Sequence, residues 1–574
     1  MKVRGKLLAL LLTTAVVTGG CASKGGSSSE GSSAATQKTS STAETTAAQA
    51  ESESSASEGS DQSGQGEVTT FTYYRPGLNR NNITSYSDTL WVQELEKKMN
   101  VKIEFMGPAS GDDYNQAVNI VLASGDYPDA VYMNWNNYNG GLRAAIDDGI
   151  VVDVSANETY KSLMPTWFGD LDENENLRRA VTLDDGTSAL FCHIENNLKR
   201  GAYAGYGIRK DWLDNLGLQV PTTVDELYNV LSKFKTEDAN GNGDNTDEIP
   251  MSDDSDHNLI SYLAPAWGLR VNTPYLDPDT QKMTYWTQYK DGEAFTDFLT
   301  TLHQWYEEGL IDPEFASQDS SAKEAKITND QVGFTFAWTG NYATWTDALA
   351  ENFPSIADKI DIYGMVPVVG PAGKAYTAND AHVRYAASNE GTCVTSSSVK
   401  DGTIEAILKL FDYMYTDEGS EIINWGEEGV SYTKDADGKN QWTDAVTNDS
   451  EYSFSDKVFE YALPTWGGFP KVMSYDAWAS IEATTASQQQ AHENYWKADT
   501  GLLMPPLMMN QSEAEEYNQI MTDVNTAISE LYLSVILGTK SVDDIPALLQ
   551  QVDDMGINRA MEIYQGVYDR YISK

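Results

Sequence analysis

Residues 207–250 read GIRKDWLDNLGLQVPTTVDELYNVLSKFKTEDANGNGDNTDEIP, a helix set between a tryptophan-bearing run and a loop crowded with acids and amides. The helix has a marked start. Pro221 leads in, Thr223 and Glu226 have capping-box spacing, and Val224, Leu227, Leu231 and Phe234 recur on one face. Trp212, in the run before the cap, reads as core. Behind the helix, Asp238, Asn240 and Asn242 place oxygen-bearing side chains at alternate positions. Gly243 follows where a calcium loop must bend, and Asp244 where such a loop offers a carbonyl. An EF-hand closes on Glu at its twelfth position, which here is Ile249, while Asp247 and Glu248 arrive earlier. The loop is either a calcium site that closes sooner or a solvated Asn/Gly/Asp turn.

Outward from this stretch, strand-like and helical patterns alternate, which predicts an α/β body. VTTFTYY (68–74) and VKIEFMG (101–107) read as strands with the helical DTLWVQELEKKMN (88–100) between them, and PDAVYMNW (128–135) as a further strand. Residues 67–574 are long enough for more than one core. Cys192 and Cys393 lie in strand-like runs, far apart in sequence, and read as buried thiols. The five histidines lack zinc-ligand spacing, so no transition metal is expected.

The N-terminus addresses the chain to the outside of a cell. A basic start, an apolar run from Leu7 to Val17 and small residues before Cys21 form an export signal over residues 1–20. The apolar run is about half the ~20 residues a membrane span needs. Gly19, Gly20 and Cys21 resemble the lipobox of bacterial lipoproteins, with Thr18 where Leu is usual; the resemblance implies lipidation of Cys21. Residues 21–66 are a Ser/Thr/Ala/Gly-rich tether without the aromatics or large aliphatics a core requires, with a typical reach of roughly 35–40 Å. Its length favours a Gram-positive surface.

Charge narrows the partners. Lys+Arg 39 against Asp+Glu 86 gives a net charge of −47, which repels nucleic acid and anionic headgroups and points to a neutral or cationic partner.

Several blocks together resemble the family 1 extracellular solute-binding proteins, lipoprotein subunits of carbohydrate ABC importers. They are the 207–250 stretch, LASGDYPDAVY (122–132), WYEEGLIDPEF (305–315), VPVVGPAGK (366–374), WGEEGVSYTKDADGK (425–439) and MGINRAMEIYQGVYDRY (555–571). The resemblance implies a two-lobe, periplasmic-binding-protein-like α/β fold, with an oligosaccharide in the cleft between the lobes and permease subunits as membrane partners. We divide the body into lobe 1, roughly 67–195 and 330–395, and lobe 2, roughly 196–329 and 396–574, and expect a monomer. In alginate-binding relatives the corresponding loop holds a structural Ca2+ with the help of the following Asp-Glu pair. Asp238, Asn240, Asn242, Asp244, Asp247 and Glu248 are the implied ligands. Three residues, Asp244, Asn245 and Thr246, separate Gly243 from Asp247 where relatives have two.

Sugar recognition calls for aromatic platforms and amides on loops after strands. Trp135, Asn137 and Tyr138 in NWNNYNGG, Trp267 in APAWG, Trp338 and Asn341 in FAWTGNYATW, and Trp466 in LPTWGGF satisfy that description. Tyr74, Arg75 and Asn79 follow the first strand, and Tyr206 stands where the chain enters the second lobe. KDADGKNQ, with Asp435, Asp437 and Gly438, reads as a hairpin turn. The rival readings are a glycoside hydrolase, which needs two carboxylates at a defined separation, and a non-transporting glycan adhesin or sensor. The chain carries no Gly-x-Ser-x-Gly elbow, His-Glu-x-x-His motif or phosphate loop, and no enzyme activity is expected.

Overall fold

The alternating pattern resolves into two separate four-stranded sheets, with three two-stranded pairings beside them among the described residues. The structure is a computed structural model that describes residues 67–574 apart from 79, 109–111, 387–389 and 466. The expected signal and tether, with Cys21, lie outside the described residues, as do Asn79 and Trp466.

In the first sheet the strand Thr69–Tyr74 is central, parallel to Val101–Met106 on one side and Ala130–Asn134 on the other, with Glu390–Val394 antiparallel at the edge. Parallel neighbours need crossovers, and the helices Leu90–Met99 and Asp112–Ser124 supply them. Val101 and Ile103 are buried while Lys102 and Glu104 are exposed, so this edge strand wets one face. The second sheet runs Ile362–Met365, Ala204–Arg209, Val332–Trp338, Ile249–Met251. The helix Ala486–Trp496 lies directly on it. A Cβ on Gly364 would fall 2.3 Å from Ala491 and one on Gly205 2.3 Å from the Tyr495 ring, so only glycine admits this close approach.

Each sheet has its own core. One gathers residues 71–194 and 386–469, the other 204–376 and 502–561. The chain therefore crosses between lobes over 195–203 and 376–386 and, since the helix Ala486–Trp496 already packs on the second sheet, over 473–486. This division departs from the expected split: 332–376 goes with the second core and 396–469 with the first. Strand pairing explains the former, since Val332–Trp338 is hydrogen-bonded along Ala204–Arg209. A buried carboxylate ties in the latter: Asp412 accepts the N–H groups of Thr166 and Trp167, each at 2.9 Å, and so caps the Pro165–Glu173 helix.

The capping box is formed: Thr223 Oγ1 accepts from Glu226 N at 3.2 Å while the Glu226 carboxylate accepts from Thr223 N at 3.3 Å. Trp212 is fully buried, edge-on to Phe234. Residues 435–439 turn between the strands Tyr432–Lys434 and Asn440–Trp442, as a hairpin should. Cys192 and Cys393 are buried in the first core. Among the described residues no helix is long and apolar enough to cross a membrane.

Candidate functional site

The strand Val332–Trp338 ends beside the first crossing segment, where Thr339 N donates to Tyr203 O at 2.8 Å. Trp338 stacks on Tyr203 with ring centres 5.7 Å apart and planes inclined by 20°, and meets Phe336 edge-on at 5.0 Å. Asn341 Oδ1 accepts from Trp338 N at 2.9 Å and holds the turn. The indole is nevertheless 46% exposed. An aromatic ring backed on one side and open on the other is a platform for a sugar ring.

Around the crossings lies a floor of charged groups. On the first crossing, Arg200 grips Glu195, with Nε 2.8 Å from both carboxylate oxygens. Glu195 ends the short strand His193–Glu195, which pairs in parallel with Lys471–Met473. Tyr385 O, on the second crossing, accepts from Glu195 N at 2.8 Å and so sets Arg384 alongside. Lys471 is fully buried and donates to Leu463 O and, at 2.8 Å, to Thr465 O. Burial and the charges of Arg200 and Arg75 push its ammonium well below the ordinary lysine range, although Glu195 pulls the other way. Glu482, on the third crossing, faces Arg200 and Arg80 but is held above its ordinary value by burial. It adjoins the platform: a Cβ on Gly340 would sit 3.9 Å from its Oε2.

Arg75 is 3% exposed and caged by aromatics, its guanidinium 3.5 Å from the Phe469 ring centre and 4.3 Å from that of Tyr86. It donates to Gly467 O, while Nε and Nη1 have no hydrogen-bond partner among the described residues. Arg80 stacks on Phe459 at 3.8 Å.

The other expected cleft residues divide sharply. Trp135 is buried and donates to Gly391 O at 3.1 Å. Trp267 is buried and donates to Asp297 Oδ2 at 2.7 Å. Tyr206 is buried and donates to Tyr262 O at 2.6 Å, and Tyr74 stacks inside on Tyr114. These four are core groups, because each ring is packed and each polar tip of Trp135, Trp267 and Tyr206 is already spent on a protein acceptor. Arg75 belongs to the interior for the same reason of packing. Asn137 is exposed and Tyr138 half-buried, its hydroxyl donating to Asp148 at 2.8 Å. Both line a cavity of about 550 Å³ between this loop and residues 507–518. A neighbouring cavity of about 680 Å³, backed by Trp135, lies between Gly140–Arg143 and Met508–Ser512. Both cavities fall between the lobes, and the half-buried rings of Tyr138 and Tyr517 line the smaller one, while Trp338 is the more exposed aromatic. Local sequence reading passed over Arg80, Arg200, Tyr203, Arg384, Lys471 and Glu482. Their only signal was position, since Arg200, Arg384 and Glu482 fall on the crossings.

The 238–248 loop sits on the second lobe, between the helix Val224–Thr236 and the strand Ile249–Met251. Gly241 and Gly243 take positive φ of 73° and 94°. Asp238 accepts from Asn242 N and Gly243 N at 3.0 and 2.9 Å, Asn240 Oδ1 from Asn242 N at 3.0 Å, and Asn242 Oδ1 from Asp244 N at 2.7 Å. Asp244 Oδ1 instead accepts from Thr246, turning within its own loop. Glu248 Oε1 accepts from Ala239 N at 2.8 Å. Asp247 Oδ1 and Glu248 Oε2 are buried without a partner among the described residues, and burial raises the Glu248 carboxyl above its ordinary value. No three His, Cys, Asp or Glu side chains form a ready metal centre among the described residues. Asn240 and Asn242 oxygens would have to complete any set.

Two α/β lobes, three crossings and a platform at the seam define the class of two-lobed binding proteins. Residues 81–421 match the bacterial extracellular solute-binding protein family, and the chain belongs to it. It is 29% identical over 356 residues to the fructooligosaccharide ABC transporter substrate-binding protein FusA of Streptococcus pneumoniae serotype 4, a stretch that spans 60% of this chain and 60% of FusA's own length. It is 24% identical over 360 residues to the polygalacturonan/rhamnogalacturonan-binding protein YtcQ of Bacillus subtilis, across 60% of this chain and 64% of YtcQ. Among solved structures, alginate-binding protein AlgQ2 without calcium ion superposes with a TM-score of 0.62 at 23% identity, covering 88% of this chain and 98% of AlgQ2. An EF-hand mutant of FusA in complex with fructo-nystose gives 0.63 at 21%, covering 88% and 99%. These likenesses establish the two-lobe, periplasmic-binding-protein-like α/β fold.

Proposed function

We propose that this chain is the substrate-binding subunit of an ABC importer, capturing an oligosaccharide between its lobes at the extracytoplasmic membrane face and delivering it to a permease. The observation that carries the reading is Trp338, a tryptophan stacked on a crossing-segment tyrosine and left 46% exposed at the lobe seam. The names of FusA and YtcQ, both saccharide-binding proteins, support it. The ligand binds the closed arrangement of lobes better than the open one and shifts the population toward it, and the permease recognises that arrangement. The protein works as a monomer and cleaves no bond. The test is a calorimetric and tryptophan-fluorescence titration with a panel of oligosaccharides, followed by recovery of the sugar. A saturable signal with intact sugar is expected; a shortened sugar would replace this reading with the hydrolase.

A structural calcium ion fits the 238–248 loop. Asp247 Oδ1 and Glu248 Oε2 are buried acceptors without donors, a costly arrangement that a cation relieves. Asp238, Asn240, Asn242 and Asp244 would supply the remaining oxygens. The ion pins the loop between helix and strand, away from the platform. We also assign Cys21 as the lipidated residue that anchors the chain.

A further inference from the structure

The composition of the whole chain argues against acidic ligands, but the floor of the cleft has the opposite character. Of the arginines among the described residues, Arg143, Arg179, Arg200, Arg209, Arg270, Arg559 and Arg570 form ion pairs with carboxylates. Arg178 donates to the backbone oxygens of Leu171 and Lys574. Arg75, Arg80 and Arg384 form no contact ion pair among the described residues, although the charge of Arg80 reaches Asp456 and Glu482. These last three lie at the floor. The charges of Arg75 and Arg200 reach Lys471, that of Arg384 reaches His193 on the strand paired with Lys471, and that of Arg80 reaches Glu482.

The carboxylates nearby are mostly committed. Glu195 is held by Arg200, Glu390 accepts from the Tyr132 hydroxyl, and Asp456, close to Arg80, accepts from Asn81 at 3.0 Å and Ser453 at 2.9 Å. Glu482 faces both Arg80 and Arg200 and forms no ion pair with either. Arg75 is too deeply caged to meet a ligand; it contributes field. Arg80 and Arg384 are half-buried and have no hydrogen-bond or ion-pair partner among the described residues. A half-buried guanidinium retained without a protein acceptor near the crossings is suited to a carboxylate brought by the ligand, which it can meet in a fork of two hydrogen bonds.

We propose that the saccharide taken by this cleft is acidic, its carboxylates received by Arg80 and Arg384 while a neighbouring ring lies on Trp338. The proposal rests on the oligosaccharide-binding reading and names its substrate class: sugars bearing uronate or sialate carboxylates, in preference to neutral hexoses. The net charge of −47 repels such ligands at long range. Specificity must therefore come from these short contacts, and salt dependence alone is a poor test because it screens both effects.

The test is calorimetry on the full mature chain with three probes: an oligogalacturonate, the same oligomer with its carboxyls reduced to alcohols, and a sialylated lactose. Either acid should bind at least tenfold more tightly than the reduced oligomer, and which acid does so identifies the source of the carboxylate. Arg80→Gln and Arg384→Gln should each weaken acid binding about tenfold to a hundredfold, the range for hydrogen bonds to charged groups. Arg559→Gln, at an exposed pair with Glu516, should leave it unchanged. Thermal melts of the Gln variants within a few degrees of the parent keep the comparison valid. If the reduced oligomer or another neutral oligosaccharide binds as tightly as either acid, or both Gln variants keep full affinity, the acidic assignment falls while sugar binding stands. If neither these probes nor a broad neutral panel binds, both fall.

Discussion

Trp338→Ala separates a binding tryptophan from a structural one. A tryptophan side chain buries roughly 150–250 Å² when fully covered. With 46% of its surface open, Trp338 leaves about 100 Å² for a ligand, worth about 2.5 kcal/mol at ~25 cal/mol per Å². Ligand immobilisation takes part of that gain, so about 2 kcal/mol, a roughly thirtyfold rise in Kd, is the expected loss. Stability should fall by only about 2 kcal/mol, because the substitution removes two ring contacts, with Tyr203 and Phe336, each worth about 1 kcal/mol. Trp267→Ala should do the reverse. That ring is buried against Phe298, so its loss leaves a cavity and the fold should lose about 3–5 kcal/mol. Calorimetry gives the Kd and a thermal melt the stability. Unchanged affinity in Trp338→Ala refutes the platform. So does a fall in its melting point as large as that of Trp267→Ala.

Calcium at 100 times its Kd should stabilise the fold by about 2.7 kcal/mol, and chelation should reverse this. Asp247→Asn should abolish the response with little change in the metal-free melt; an identical melt of the stripped wild-type protein with and without calcium contradicts the site. Burial holds His382 and His492 down to about 4, His382 also feeling the charge of His492. Unfolded histidine titrates at ~6.5, so below that pH the unfolded chain takes up protons the folded chain refuses. Stability is therefore complete above about 6.5 and lost as pH falls toward 4, by about 3 kcal/mol for each histidine. His382→Gln should flatten the melting-temperature profile over that window, and a profile identical to wild type counts against the assignment. Cys21→Ser should move the protein from the detergent-extracted membrane fraction to the medium or leave it unprocessed; a wild-type protein already free in the medium excludes the anchor.

Much of the fold was legible because its signals are local. The 224–236 helix announces itself through a cap and a stripe, both satisfied within thirteen residues of backbone. The alternation of strands and helices carried the layer class. The lobe boundaries were not legible, because nothing inside Val332–Trp338 says which sheet it joins. That depends on pairing with a strand far earlier in the chain, across the register Ala204↔Trp338 to Ile208↔Phe334. Tryptophans after strands were equally ambiguous. Trp135, Trp267 and Trp338 share the same local context of turn-forming neighbours, and what separates them is whether a distant acceptor, Gly391 O or Asp297, has already taken the indole N–H.

The charge of the cleft shows why composition misleads about recognition. A net charge of −47 sums side chains most of which point at water, where screening confines each to about 8–10 Å. A group within the seam feels only the charges gathered near the three crossings, of which Arg80 and Arg384 are half-buried while Arg75 and Lys471 are buried and contribute field alone. Each crossing is short and must leave room for the lobes to move, so it cannot be wrapped in compensating carboxylates as a surface arginine is. Arg200 has such a partner only because Glu195 lies five residues before it on the same crossing. Arg384 has none within its own segment, although Asp380 stands four residues earlier, since Arg270 holds that carboxylate in a fork at 2.9 and 2.8 Å. Arg270→Gln should release Asp380 to compete for Arg384. The expected consequence is a weaker grip on acidic saccharides, from a residue that need touch no ligand. An Arg270→Gln variant that binds them as tightly as wild type would show that Arg384 is not the receiving group.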